Sequence, residues 1–342
     1  MTVIAVLPGD GIGPEVIQEA VRTLDELDLG LTFDVLEHVN ADTFLASGTA
    51  LTADDVARIQ RSDAALLGAV GDPRVTTPDY VRGVLLRLRF ELDLYVNHRA
   101  VSLLADHLSP LKDTKRGAID CVVVRENSEG LYAGIGGSLR QSTPQEVALD
   151  VEVNTYTGVS RLLDYAFDIA RSEVCMVDKS NAVPNGGRLW QRCWAEHRGR
   201  HPGTPTRHLY VDAAAMLLVA DPASFDVIVT NNSYGDILSD LAAELGGGIG
   251  TAASGNLNPT TGFGLYEPVH GSAPDIAGLN RANPVAAILS AALMVERLGH
   301  GDAAAAVRSA VARAVIQRRC TPDLGGSLTT TEAGAAIRAE LG

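Results

Sequence analysis

The sequence predicts an α/β protein of two lobes, and three observations carry that expectation. The chain has 342 residues, too long for one ordinary core and comfortable for two. Short β-branched runs alternate with amphipathic helical stretches, the order of an α/β sheet protein. Several of those runs end in polar residues, as strands do where an open sheet meets its ligands.

Val3 to Leu7 reads as a buried strand, and Pro14 to Leu27 as the helix that follows. Ala64 to Leu67 is a second strand, closed by a Gly-rich turn at Gly68 to Gly71. Residues 82–93 form a helix rich in Leu and Arg. Cys121 to Val124 is a strand that delivers Arg125 and Glu126 at its C-terminal end, and Val174 to Val177 and Val227 to Thr230 repeat that arrangement. Val285 to Leu298 and the Ala-rich stretch 302–317 are helices. No repeat of 20 to 50 residues stands out, so the lobes share chain crossings. Gly246 to Gly248 and a turn near Asn97 are the candidates.

Composition narrows the function. Hydrophobic residues make up 46% and charged residues 20%, which excludes disorder. The formal net charge is −14, so phosphate backbones and anionic membranes are repelled, and neither nucleic acid nor membrane is expected as partner. Cys121, Cys175, Cys193 and Cys320 form no CxxC pair, which argues against a zinc site and suits a reducing cytosol. The short apolar start before Pro8 and Gly9 is not a signal peptide, and no apolar run reaches bilayer length. A cytoplasmic protein is expected.

Four segments carry chemistry. Arg82, Leu85, Leu86 and Arg89 stand at i, i+3, i+4 and i+7 and share one helix face. Snorkelling arginines at a core edge and a binding face explain this equally; Arg99 and Arg125, at strand or loop ends, favour convergence on a polycarboxylate. Asp236 and Asp240, at i and i+4 in a helix that begins near Asn232, project on one side and suit a hard divalent cation, with Asp212 at the end of another strand as a third ligand. Two acids alone read equally well as capping and solvation. The turn Gly9 to Glu15 lacks Rossmann spacing and the Walker lysine, so it reads as turn chemistry. Glu267 to Asp275 reads as a long polar binding loop.

Together these segments resemble the β-decarboxylating dehydrogenases, the family of isopropylmalate, isocitrate, homoisocitrate and tartrate or D-malate dehydrogenases. The resemblance spans nearly the whole chain, from Leu7-Pro8-Gly9-Asp10-Gly11 onward, and is most specific in Val177-Asp178-Lys179-Ser180-Asn181, Gly235 to Asp240 and His270 to Asp275. The run Arg82 to Asp93 looks most like actinobacterial isopropylmalate dehydrogenases. The resemblance implies two α/β lobes around a cleft, 1–98 with 248–342 as the large lobe and 99–247 as the small one. It implies a homodimer with shared active sites, and a small 2-hydroxy diacid as substrate. It places Arg89, Arg99 and Arg125 on the substrate carboxylates, with Leu85 and Leu86 against its C3 branch. Tyr132 and Lys179 are the implied acid–base pair, and Asp212, Asp236 and Asp240 the ligands of Mg²⁺ or Mn²⁺, with Lys179 and Asp212 reaching in from the partner. Ile12, Glu267, His270, Gly271, Ser272, Ala273, Asp275 and Asn283 are implied on the cofactor. Asp275-Ile276 stands where the NADP branch has lysine and tyrosine, which implies NAD.

The chain departs from the family's pattern in places. Asn-Leu-Arg-Pro appears as Asn97-His98-Arg99-Ala100, and the usual Asp-Asn is Asn231-Asn232. Tyr234 stands where Phe is common, and Val81 and Arg82 where a glutamate often precedes the Leu-Leu pair. Arg125 to Gly130 looks closer to the isocitrate, homoisocitrate and tartrate branches. 3-Isopropylmalate is the expected substrate, with tartrate or D-malate the next reading. A silent regulatory subunit ranks far behind, because every acid, base and metal ligand is present.

Overall fold

The computed structural model describes residues 2–112 and 119–341; residues 1, 113–118 and 342 of the expected lobes lie outside them. Its centre is a ten-stranded sheet ordered β2 (Leu31–Val35), β1 (Thr2–Gly9), β3 (Ala64–Ala69), β12 (Gly264–Pro268), β11 (Ala253–Leu257), β4 (Val96–Ser102), β5 (Asp120–Glu126), β10 (Val227–Thr230), β8 (Val174–Asp178) and β9 (Thr206–Tyr210). Both flanks are parallel and covered by helices, which is why β1, β3, β8 and β10 read as nearly continuous apolar runs. The middle, from β12 through β11 and β4 to β5, is antiparallel. A separate hairpin pairs β6 (Gly136–Leu139) with β7 (Val147–Asp150), and all eight of its residues are exposed.

The helix Val285–Arg297 is apolar on every side and is correspondingly buried, packing against the Gly13–Asp25 helix, β11 and β12. Backbone contact at the first turn explains its glycines. A Cβ at Gly13 would lie 2.2 Å from the Pro8 carbonyl oxygen, and one at Gly11 would collide with the carbonyl of Ser272. Asp10, buried beside them, accepts from the amides of Ala41 and Gly71 and from the Tyr80 hydroxyl at 2.7–2.8 Å. The Gly9 to Glu15 segment therefore ties loops together.

One expectation is refined and two are corrected. The turn near Asn97 falls at Leu92 and Asp93, and Asn97 itself lies inside β4 with no exposed surface, its amide donating to Asn256 Oδ1 across the ladder at 3.1 Å. Asn127 donates to the same oxygen, so a buried amide cluster stabilises a strand whose residues have poor β propensity. The 82–93 helix is not uniform: Arg82–Leu86 is π-helical before Arg87–Glu91 returns to α geometry. Glu267 and Pro268 belong to β12, so the binding loop starts at Val269. Gly246 to Gly248 does connect the Asn232–Leu245 helix to the β11 region, with Gly247 and Gly248 at positive φ. All four cysteines are buried and free. No helix among the described residues is long and apolar enough to cross a membrane.

Candidate active site

The antiparallel centre aligns the arginines. Asn97 pairs with Arg125 and with Asn256 in register, and Arg99 pairs with Ser254, which pairs with Glu267. Residues opposite one another share a face and alternate along each strand, so Arg99 and Arg125 point the same way. The Asn232–Leu245 helix lies over that face. Its N-cap is Asn231, whose Oδ1 accepts from Tyr234 N at 2.9 Å while its amide donates to Glu152 at 2.9 Å. An aspartate could not make that second bond, which accounts for asparagine here.

On this helix Asp236 and Asp240 stand one turn apart and meet the two arginines. Arg125 contacts Asp236 directly and is oriented by Asn232 Oδ1, 2.9 Å from its Nε. Arg99 donates to Asp240 at 3.0 Å, lies 3.8 Å from Asp236, and is held from behind by Asn97 Oδ1 at 2.8 Å. Burial lowers the pKa of both guanidinium groups, Arg125 to about 10, against the opposing pull of the aspartates; both stay charged at neutral pH. Tyr132, in a single 3₁₀ turn, donates its hydroxyl to Asp236 at 3.2 Å. Desolvation and then Asp236 raise its pKa, so the phenol is protonated at neutral pH.

Arg89 sits at the inner end of a cavity of about 430 Å³. Arg82, Leu85, Leu86 and Arg89 all line it, joined by Val81, Phe90, Leu131 and Tyr132. The π-helical turn widens the face beyond what α spacing gives, bringing Val81 and Phe90 into the same wall. Arg89 lies 3.5 Å from Glu267 Oε1, and its buried Nε has no partner among the described residues, which leaves a donor free for a ligand.

Lys179 and Asp212 meet elsewhere. Lys179 Nζ lies 2.6 Å from Asp212 Oδ1, and that contact lowers the carboxyl pKa. Asp212 falls in the first turn of the Val211–Ala220 helix and not at the end of β9, as expected from sequence. Among the described residues no group of three acids, histidines or cysteines converges within one chain, so Asp236 and Asp240 have no third carboxylate from their own chain.

The cofactor residues divide. Ile12, His270 and Asn283 line a cavity of about 320 Å³ beside the first turn. Ser272 seats the loop there, its carbonyl accepting from Ile12 N at 2.9 Å, and Ala273 takes φ +37° to complete the bend. His270 Nε2 is buried without a partner among the described residues, while its Nδ1 lies 3.0 Å from the Gly271 carbonyl. Burial lowers the His270 pKa, so the ring is a neutral, unsatisfied polar group facing a cavity. Glu267 faces Arg89 instead, and Asp275 lies exposed outside the lining. Arg281 and Asp323 line the cavity and escaped the sequence reading. Asp323 accepts from Asn283 at 2.8 Å across 40 residues, a pairing that no local spacing announces.

A profile described as isocitrate/isopropylmalate dehydrogenase matches residues 3–337. The chain belongs to that family. It is 49% identical to the 3-isopropylmalate dehydrogenase of Leifsonia xyli, over 98% of this chain and 97% of that protein. With the enzyme of the same name from Thermobifida fusca the identity is 46%, over 98% and 96%. Among solved structures, isocitrate dehydrogenase from Methylococcus capsulatus superposes with a TM-score of 0.90 at 34% identity, covering 100% of this chain and 99% of that one. A β-decarboxylating dehydrogenase from Thermococcus kodakarensis, in its apo form, gives 0.83 at 38% identity, covering 100% and 96%. The fold is thus the α/β fold of isocitrate/isopropylmalate dehydrogenases, as expected, and the chain is a β-decarboxylating dehydrogenase.

Proposed function

We propose that this chain catalyses the NAD-dependent oxidative decarboxylation of 3-isopropylmalate to 2-oxo-4-methylpentanoate and CO₂. The observation that carries the reading is the cavity in which Leu85 and Leu86 stand beside Arg89 and Tyr132. A malate that binds with a carboxylate on Arg89 presents its C3 branch to leucine. The naming of relatives at 46–49% identity as 3-isopropylmalate dehydrogenases supports the same substrate.

The charged pairs around the site explain how a doubly charged acid enters. Arg99 with Asp240, Arg125 with Asp236, Arg89 with Glu267 and Lys179 with Asp212 leave the site internally neutralised. A substrate dianion and a divalent cation together are neutral, so they exchange into these pairs without leaving buried charge uncompensated. The three arginines turn to the carboxylates, where their forks bind bidentately. Asp236 and Asp240 are then free, with Asp212 of the partner subunit, to hold Mg²⁺ or Mn²⁺; an all-carboxylate set suits such hard cations. A cation held there would supply Lewis-acid chemistry, acidifying the substrate hydroxyl and polarising the carbonyl it becomes. Lys179 of the partner subunit would take the hydroxyl proton, and NAD, as the oxidant, would accept the hydride of C2. After the β-carboxylate departs as CO₂, Tyr132, protonated at neutral pH, delivers a proton to C3. The His270 loop is the seat of NAD: the unpaired His270 Nε2 and the cavity it faces fit a ligand rich in polar atoms.

The sharing of Lys179 and Asp212 requires a homodimer. Two surfaces suit one: the exposed β6–β7 hairpin, and the helix faces bearing Met216 at 74% and Ile237 at 66% exposure. We assign 1–98 with 248–342 to the large lobe and 99–247 to the small one, and the cytoplasm as location. NAD reduction with a panel of 2-hydroxy diacids tests the reading. 3-Isopropylmalate should give the highest kcat/KM, EDTA should abolish turnover and Mg²⁺ or Mn²⁺ restore it; a higher value for D-malate or tartrate would overturn it.

A further inference from the structure

The pleat of β4 places Asn97 and Arg99 toward the active site and His98 and Ala100 toward the opposite face. Those two are the positions at which this segment departs from the family's pattern, and both open onto a second cavity of about 760 Å³. Its walls come from the strand centre on one side and from the helices Tyr156–Ile169, Val285–Arg297 and Gly301–Ile316 on the others. Leu104, Ile169, Leu289 and Leu293 give it an apolar lining.

Its polar groups are unevenly matched. Arg308 is tied to both oxygens of Glu296 at 2.5–2.8 Å, and Arg171 to Asp120 at 2.5 Å and Asp226 at 3.0 Å. Arg297 makes no ion pair among the described residues, and its guanidinium lies 5.5 Å over the Tyr165 ring. Of the charged residues that line the cavity, Arg171, Arg297 and Arg308 stand against Asp120 and Glu296, so Arg297 is the one lining cation without a lining carboxylate of its own. At the floor, His98 is only 8% exposed; its Nδ1 lies 2.9 Å from the Tyr165 hydroxyl, and its Nε2 has no hydrogen bond among the described residues. A leucine-lined interior with one unpaired guanidinium beside it and one ring nitrogen without a hydrogen bond fits an apolar body that carries a single anionic group.

We propose that this cavity binds a monocarboxylate with an apolar body, and that its occupant acts on substrate binding through β4, which carries His98 and Ala100 on one face and Arg99 on the other. The carboxylate meets Arg297, and the body fills the leucine-lined interior. A cavity of ~150 Å³ holds a benzene, so the space here accommodates a phenylalkyl chain.

Titration calorimetry on the full chain with 4-phenylbutyrate, at saturating 3-isopropylmalate, tests this directly. Binding should be saturable, weakened at least tenfold by Arg297→Gln, abolished by Leu293→Trp, and absent for the uncharged 4-phenylbutyramide. The same probe should shift the KM for substrate at least twofold in the parent and not in Arg297→Gln, an exposed site at which folding is not at stake. Absence of binding, binding indifferent to Arg297→Gln, or binding without any change in KM would overturn the proposal. None of these outcomes bears on which malate the enzyme oxidises, since that is read from turnover alone.

Discussion

Replacing Leu85 tests the substrate assignment most sharply, because its effect separates two substrates that share every charged contact. 3-Isopropylmalate differs from D-malate by three carbons at C3. Full burial of those carbons is worth ~0.8 kcal/mol each, or ~2.4 kcal/mol, which corresponds to a kcat/KM advantage of about 50-fold. Leu85 and Leu86 are half-buried and supply much of the apolar wall, with Val81, Phe90 and Leu131 completing it. Leu85→Ala removes about half of the leucine contact, so the advantage should fall by ~1 kcal/mol, to about tenfold. Leu85→Glu should reduce it to a few-fold, because a carboxylate in that wall keeps its water and the isopropyl group cannot displace it. Arg82, three residues away on the same wall, holds the new carboxylate there. The assay is NADH formation at substrate concentrations far below KM, with each substrate against each variant. Equal losses for the two substrates, or a parent ratio near one, would show that the leucine wall does not select the branch.

Subunit sharing is checked by complementation: inactive Lys179→Ala and Asp236→Ala chains, mixed under conditions of proven subunit exchange, should regain activity, since one hybrid site receives both intact groups. Persistent inactivity would refute the shared site. NAD should exceed NADP in kcat/KM despite Arg281 in the cofactor cavity, because the Asp275 carboxylate suits a ribose diol and repels a 2′-phosphate; Asp275→Lys should narrow that preference at least tenfold. Burial draws the His98 pKa down from an ordinary 6.5 to about 4. The unfolded chain therefore binds the extra proton first, so stability is full above pH 6.5 and declines as pH falls toward 4, by ~2–3 kcal/mol at pH 4.5. In urea unfolding His98→Leu should lose that much less stability than the parent between pH 7.5 and 4.5, and an identical loss would contradict the account.

Residues whose chemistry depends on local spacing were legible in the sequence. Asp236 and Asp240 share a helix face by i, i+4 geometry, and Arg125 ends a strand announced by Cys121 to Val124; the structure has both. What escaped is non-local. The setting of Asn97 is not legible because its support, Asn256 and Asn127, lies 159 and 30 residues away and serves it only once β11, β4 and β5 are side by side. Arg281 and Asp323 enter the cofactor cavity from the loop before the Val285–Arg297 helix and from a 3₁₀ turn, with no common period.

The π-helical turn at Arg82–Leu86 lies between these cases. The order Arg, Leu, Leu, Arg predicts the right cavity wall, yet α spacing cannot include Val81 and Phe90 in it. A π turn spends an extra residue per turn and so broadens the inward face. That broadening matters for function. Val81 and Phe90 add apolar surface that extends the leucine wall, while Arg82 on the same wall remains a charge within reach of a longer acidic branch. The backbone departure and Val81 thus act together to favour a short hydrocarbon substituent at C3, which lies on leucine and valine without reaching for Arg82.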